Sequence, residues 1–335
     1  MPEGHSVHRI ARQFRVNFVG HAPEVTSPQG RFAEGAKLLS GHTITDVKAV
    51  GKHLFLGFEH DLWLRVHLGI YGAWDFSGNL RVDPSILIHA TNEHGQFVPV
   101  DRASEDSVAS IGAPRVTRMR MSETEKEDSL EGFPPDPVGQ VRVRLLTDTV
   151  CADLRGPTAC EVQTPEEMQA TVARLGPDPA NDDSEAEAER FMTRAAAKST
   201  PIGLVLMDQA VIAGIGNVYR AEMLFRAELD PHTPARQVHP KALRQLWDDW
   251  KYLLDVGIRV GQMMTIDGLA DEDYRRALEN LEDRHWVYKR EGETCRRCGA
   301  TVVLEEFGGR KLYWCPGCQK PRRRRGPIPK RKASV

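Results

Sequence analysis

The sequence predicts an α+β chain. An antiparallel β domain stands behind one N-terminal helix, a helical region follows, and a small metal hairpin closes the described order. Three observations predict this. Apolar residues alternate with polar ones, or run in short blocks, from about Thr43 to Phe76. Past Glu161 the apolar spacing becomes helical. Four cysteines form Cys295-x2-Cys298-x16-Cys315-x2-Cys318.

The elements follow in order. Val7, Ile10, Ala11 and Phe14 recur at helical spacing, which predicts a helix over Gly4 to Phe18. Strands are expected at 43–47, 53–58 and 62–68, and Val141 to Leu146 repeats the alternation. Ser104 to Pro137 is rich in Ser, Glu, Asp and Pro, so a partly disordered surface insertion is expected across residues 79–139. Thr164-Pro165-Glu166-Glu167 carries a capping box with proline in the first turn and predicts a helix through Leu175. Further helices are expected at 184–198, 201–209, 218–227 and 240–260. The expected domains are 1–160, 161–290 and 291–320, with a basic tail at 321–335.

The four cysteines match a tetrahedral, closed, four-thiolate zinc site, which is structural and not catalytic. Cys151 and Cys160 stand apart and read as ordinary small residues. No segment approaches the ~18 apolar residues of a membrane span and the start lacks a secretory pattern, so a soluble cytoplasmic chain is expected. The formal charge is −2, but from Phe307 onward there are ten Lys or Arg and no acid, leaving 35 basic against 47 acidic residues elsewhere. A basic end on an acidic body points to a local polyanion contact or to a solvated tail.

Two segments carry chemistry. Removal of Met1 would leave Pro2 as a secondary amine beside Glu3. With an ordinary pKa near ~8, such an amine is substantially neutral at pH 7 and can attack an aldehyde-level carbon. The second is Asp208 to Tyr219, with Gly214 and Gly216 in a turn between apolar helices. Amides at the start of the second helix can hold a phosphate, or the turn can be a packing corner. No strand precedes it and no third glycine follows at dinucleotide spacing, so a Rossmann site is excluded.

Five ordered blocks resemble the formamidopyrimidine-DNA glycosylase and endonuclease VIII family. They are Met1-Pro2-Glu3-Gly4, Gly51-Lys52-His53-Leu54, His67 to Gly72, Asp208 to Tyr219, and Gly309 to Gln319. The start is more similar to the endonuclease VIII branch. The resemblance implies an N-terminal antiparallel β-sandwich flanked by helices, then a helix–two-turn–helix domain and a zinc hairpin. It also implies double-stranded DNA with oxidised or abasic sites as partner, and a flipped nucleotide. On the same basis Pro2 is the nucleophile, Glu3 the proton shuttle, Lys52 a phosphate contact and proton-transfer aid, and Arg310 the hairpin clamp on phosphates. Asn217 would bind phosphate or else cap its helix, Ile70 and Tyr71, in a DNA-contacting loop with Gly69, would fill the hole left by the base or else pack in a strand, and Arg155 would face the orphan base or a nearby phosphate.

Departures accompany the resemblance. His5-Ser6 stands where many members have a second glutamate, Gly69 where a wedge glutamine is common, and Gly156-Pro157 where the purine branch has Arg-Phe. The implied activity is a bifunctional glycosylase and abasic-site lyase for oxidised pyrimidines. The rival expectation is a non-catalytic damaged-DNA binding module that keeps the hairpin.

Overall fold

Helix α1 (Gly4–Asn17) is the first element. Its apolar stripe enters the space between two sheets, where Phe14 meets Trp74 edge-on at 4.7 Å and Phe76 at 5.2 Å. Burying one such aromatic stabilises by ~2 kcal/mol. The computed structural model describes residues 2–86, 109–113 and 133–320. Most of the expected insertion and all of the basic tail lie outside the described residues.

The N-terminal half is an antiparallel sandwich. One sheet has the order β1 (Glu24–Thr26), β7 (Val141–Leu146), β8 (Val150–Arg155), β5 (Ala73–Gly78) and β6 (Ser110–Gly112). The other has β2 (Ile44–Val50), β3 (His53–Phe58), β4 (Leu62–His67) and β9 (Ala159–Gln163). A short helix, α2 (Ala33–Leu39), packs on β1. The sheets share one core in which Leu54, Leu56 and Leu64 face Trp74, Val143 and Leu154. Cys151 and Cys160 lie on β8 and β9, where burial pushes each thiol up to about 12, so they act as small apolar residues.

The second half is helical: α3 (Pro165–Ala173), α4 (Glu185–Ala196), α5 (Ile202–Val205), α6 (Asn217–Arg226), α7 (Pro240–Val260) and α8 (Asp271–Glu279). Thr164 and Glu167 form the expected capping box at α3. The helix expected over 201–209 shrinks to α5, because the chain beyond it closes in tighter turns: Met207 N reaches Leu204 O and Asp208 N reaches Val205 O. Trp247 and Trp250 of α7, Phe191 of α4 and Tyr219 of α6 form the core here. No helix among the described residues is long and apolar enough to cross a membrane. Strands β10 (Val303–Glu306) and β11 (Lys311–Trp314) make the terminal hairpin; Gly308 and Gly309 between them both have positive φ, the tight turn that matches strand twist.

Helix α1 also joins the halves. Arg9 Nη1 donates to Ile258 O at 2.8 Å and Arg259 O at 3.2 Å, a cation on the carbonyl end of α7. Gly4 N donates to Gly214 O at 2.9 Å, and a Cβ on Gly4 would stand 2.9 Å from Gly214 Cα. Backbone on both sides cannot yield cheaply. Helix propensity favours alanine over glycine by ~1 kcal/mol, but overpacking costs about 1–3 kcal/mol. Gly4→Ala is therefore expected to be net destabilising, with a lower midpoint in thermal denaturation followed by circular dichroism; a raised midpoint would refute the close approach.

Candidate functional site

The site is built around a buried carboxylate. Glu3 is 0% exposed at the start of α1, and its side chain crosses to the N-terminus of α6. Oε2 accepts from Gly216 N at 2.7 Å, and Oε1 from Val218 N at 2.9 Å. Tyr219 N approaches Oε2 at 3.5 Å. The sequence leaves these amides to a phosphate or to a packing corner; the structure places the chain's own carboxylate there, because any anion satisfies amides at a helix start. Gly216 is required for this, since a Cβ would lie 2.3 Å from the Glu3 carboxyl carbon. Pro2, next to it, is buried.

Two cations, Lys52 and Arg220, stand near Glu3, and a third, Arg310, stands near both. Lys52 sits in the β2–β3 turn, partly exposed, and burial pushes its ammonium pKa down; Glu3 opposes this and Arg310 adds to it. Arg310 is exposed at the hairpin tip. Arg220, on α6 and 1% exposed, is pulled down to about 10 by burial, with Glu3 raising it and Arg310 lowering it. Groups from four separate segments thus stand close enough for their charges to shift one another. Sequence reasoning missed Arg220, whose lone position in an apolar helix carries no periodic signal.

Beside Lys52 lie two imidazoles that were also missed. His53 on β3 pairs in register with His67 on β4, ring centroids 4.9 Å apart. Burial, with His67, Arg65 and Lys52 nearby, drops His53 to about 3. Burial, Lys52 and Arg65 drop His67 to about 4. Both rings are neutral at pH 7. His67 Nδ1 is 2.9 Å from Thr158 Oγ1 and accepts from Gly69 N at 3.2 Å.

That contact organises the loop expected to fill a vacated base position. Ile70 and Tyr71 are 39% and 45% exposed, so they are loop-borne and not buried in a strand. Gly69 has φ +67°, and a Cβ there would stand 2.3 Å from Thr158 Cγ2, so no glutamine fits at this position without moving the β8–β9 loop. Arg155 is engaged within its own sheet: it pairs with Asp75 and donates to Val138 O at 3.3 Å. Ser6 and His5 are both buried, with Ser6 Oγ 3.3 Å from His5 Nε2, and His5 lies edge-on to Tyr219.

Asn217, expected to meet phosphate, is engaged within the chain. Its Nδ2 donates to Lys311 O at 2.8 Å and its Oδ1 accepts from Arg220, so the side chain holds the hairpin strand that bears Arg310. It is the first helical residue of α6, with Gly216 as cap, and not an N-cap. Further along α6, Glu222 is 0% exposed; Oε1 accepts from Val287 N and Tyr288 N, and Oε2 from Trp286 N and Thr265 Oγ1. These bonds fix the segment entering the hairpin.

Within the hairpin, the four sulfurs lie within 4.8 Å of one another, with Cys295–Cys318 at 3.8 Å and Cys298–Cys315 at 3.5 Å. A tetrahedron of ~2.3 Å metal–sulfur bonds has edges of about 3.8 Å, so the residues fit a four-thiolate metal centre. Arg297 N donates to Cys295 Sγ at 3.4 Å. Gln319 accepts from Cys315 N at 2.8 Å and donates to Leu229 O at 3.1 Å, seating the metal knuckle just beyond the end of α6.

Comparison with known proteins gives a consistent result. Residues 1–126 match the formamidopyrimidine-DNA glycosylase N-terminal domain, 175–267 the formamidopyrimidine-DNA glycosylase H2TH domain, and 292–321 the zinc finger found in FPG and IleRS. The chain is 36% identical over 319 residues to Endonuclease 8 1 of Mycobacterium tuberculosis, covering 95% of this chain and 100% of that protein. It is 27% identical over 285 residues to a formamidopyrimidine-DNA glycosylase of Laribacter hongkongensis, 84% of each. In fold it is similar to the Lactococcus lactis Fpg in complex with abasic-site DNA, with TM-score 0.65 and 20% identity over 95% of this chain and 100% of that one.

Glu222 generates a prediction. Replacing it by glutamine turns an NH2 against backbone donors, and an unsatisfied buried polar group costs about 1–3 kcal/mol. Glu222→Gln is expected to lower the thermal midpoint and to speed metal release to a chromogenic chelator. Metal release at the unaltered rate would remove Glu222 from hairpin support.

Proposed function

The chain belongs to the formamidopyrimidine-DNA glycosylase and endonuclease VIII family of DNA repair glycosylases, and on that premise we propose that it is a bifunctional glycosylase and abasic-site lyase for oxidised pyrimidines in double-stranded DNA. The observation that carries the reading is the meeting of Glu3, Lys52 and Arg310, from three distant segments, beside buried Pro2. The preference for pyrimidines is supported by the near full-length likeness to an endonuclease 8 and by the Met-Pro-Glu-Gly start.

The chemistry follows from the groups present. With Met1 removed, the Pro2 nitrogen attacks C1′ of a flipped nucleotide, and the bond to the damaged base breaks with its electron pair. Opening of the sugar ring needs a proton on the ring oxygen. Glu3 has about four acceptor sites on its two oxygens, three of them taken by amides, which leaves one to carry that proton. The iminium so formed draws electrons from the C2′–H bond. Loss of that proton expels the 3′ phosphate, and a second elimination expels the 5′ phosphate.

Cations serve the leaving groups. Arg310 donates paired bonds to phosphate from the hairpin tip. Lys52, with its lowered pKa, gives up a proton more readily than an ordinary lysine. The four cysteines would hold zinc, whose part is to stiffen the hairpin; removal by a chelator is expected to weaken DNA binding by misplacing Arg310.

Borohydride reduction during reaction with a duplex carrying an oxidised thymine is expected to trap a covalent adduct, and Pro2→Gly to abolish it. An undiminished adduct in Pro2→Gly would remove the nucleophile assignment, and no adduct with the wild-type chain would favour a binding module instead. For a step that needs the Lys52 ammonium, the rate is expected to fall as pH rises through a pKa below the ordinary lysine value of 10.5. A lyase rate still flat above pH 10.5 would exclude Lys52 as the donor.

A further inference from the structure

The turn that carries Lys52 is held by the opposite half of the molecule. Asp178 lies between α3 and α4, is 5% exposed, and takes four donors. Its Oδ2 accepts from Gly51 N at 2.6 Å and Asn181 Nδ2 at 3.2 Å, and pairs with His8 Nε2 at 2.9 Å. Its Oδ1 accepts from Ala180 N at 3.1 Å. Asn181 Nδ2 also donates to Ala49 O at 2.7 Å. Two side chains from the helical half therefore grip the β2–β3 turn on either side of Val50, and the gripped Gly51 immediately precedes Lys52.

Other contacts also narrow the turn's freedom. Gly51 has φ +58°, and a Cβ there would stand 2.9 Å from Ala213 Cβ in the two-turn loop. On another side lies a cavity of about 490 Å³, lined by Lys48, Ala49 and Val50 together with Asp178, Asn181 and Arg190. Close packing does not brace the turn there, so the hydrogen bonds must. Burial alone would push the Asp178 carboxyl up; the His8 charge and the amides of Gly51 and Ala180 outweigh it and hold the group ionised below its usual range.

We propose that Asp178, with Asn181, is a positioning residue for Lys52: the clamp sets the lysine in the cleft only while the two halves are docked, so docking and arming of the lysine are one event. A lysine side chain retains ~2 kcal/mol of rotamer entropy and a point charge without directional bonds, so its placement depends on the backbone that bears it. Facing Lys52 are Glu3 from the start of α1, Arg310 from the hairpin, and His53 and His67 from β3 and β4, with Arg65 beyond the two imidazoles. Facing Asp178 are His8 from α1 and, around the cavity, Lys48, Asp182, Glu187 and Arg190.

The test reads Lys52 directly. The full metal-loaded chain is pulse-labelled with an amine-selective acylating reagent across a pH series, and Lys52 modification is followed by peptide mass spectrometry. Asp178→Ala is expected to move the labelling midpoint up toward an ordinary lysine and to change the rate at fixed pH about tenfold, the equivalent of one pKa unit. Asp178→Asn keeps an oxygen for Gly51 N and is expected to follow the wild type. Asn181→Ala removes the Ala49 tie and is expected to fall between them.

The kinetic arm rests on the proposed Schiff-base reading. In single turnover with saturating enzyme, Asp178→Ala is expected to lose at least about tenfold in strand cleavage, while affinity for a duplex with an abasic-site analogue stays within about threefold. Asp178→Asn is expected to restore the rate. An unmoved labelling midpoint in a cooperatively folding Asp178→Ala overturns the proposal. If that variant does not fold, Asn181→Ala decides: labelling identical to wild type overturns it. A wild-type chain with no turnover would defeat the preceding functional reading alone, since labelling still decides this one.

Discussion

The bond on which the structure depends is the one between the Glu3 carboxylate and the amide end of α6. A buried carboxylate without partners would cost several kcal/mol. Here it receives backbone amides and the positive end of a helix, and in return it fixes the first residues of the chain against a segment more than two hundred residues later. Gly4 and Gly216 exist for this contact, since a methyl group at either would strike backbone or the carboxylate itself. The candidate nucleophile is adjacent, so the contact that docks the two halves also sets the position of Pro2.

Helix α6 extends that constraint into the hairpin. Its start holds Glu3, its first turn reaches Lys311 through Asn217 and Arg220, and Glu222 collects the amides of 286–288. The knuckle is seated on Leu229 through Gln319. A displacement of α6 would therefore shift the docking contact and the strand bearing Arg310 together. The four-thiolate site stiffens the far side of the hairpin, which is too small to hold its shape by an apolar core alone. The proposed chemistry at the first residues and the four-thiolate cluster near the end are joined by one ten-residue helix.

How much of this was legible in the sequence follows from how local each signal is. The repeat Val7, Ile10, Ala11, Phe14, the alternation from 43 to 68 and the Cys-x2-Cys pairs each report a structure made within a few residues, and the described elements match them. The turn at 214–216 was legible as an anion site, but not its occupant, because amides do not encode which anion they will meet. Ile70 and Tyr71 read equally as strand or loop until their exposure separated the two. Arg155 and Asn217 were read as facing DNA; each has a partner far along the chain, Asp75 and Lys311, 80 and 94 residues away. Asp178, Arg220 and Glu222 left no pattern, since a lone charged residue takes its meaning from tertiary partners.

The charge pattern of the cleft shows what those partners accomplish. Glu3 acts on Lys52 and Arg220, Glu305 acts on Arg220, and Arg310 stands near both of those cations. Burial is the main reason Lys52 and Arg220 both shift down, and the like charge of Arg310 adds to it at each. An excess of positive charge held in a partly buried cleft is unfavourable for the folded protein on its own. It persists because each cation is anchored through a different element: a clamped turn, a buried helix position and a hairpin tip. None can relax without undoing packing or hydrogen bonds elsewhere. A phosphate backbone entering the cleft would relieve the repulsion and raise the ammonium pKa toward its ordinary value, so the same anchors that create the strain make the site most complementary to the polyanion the proposed reaction requires.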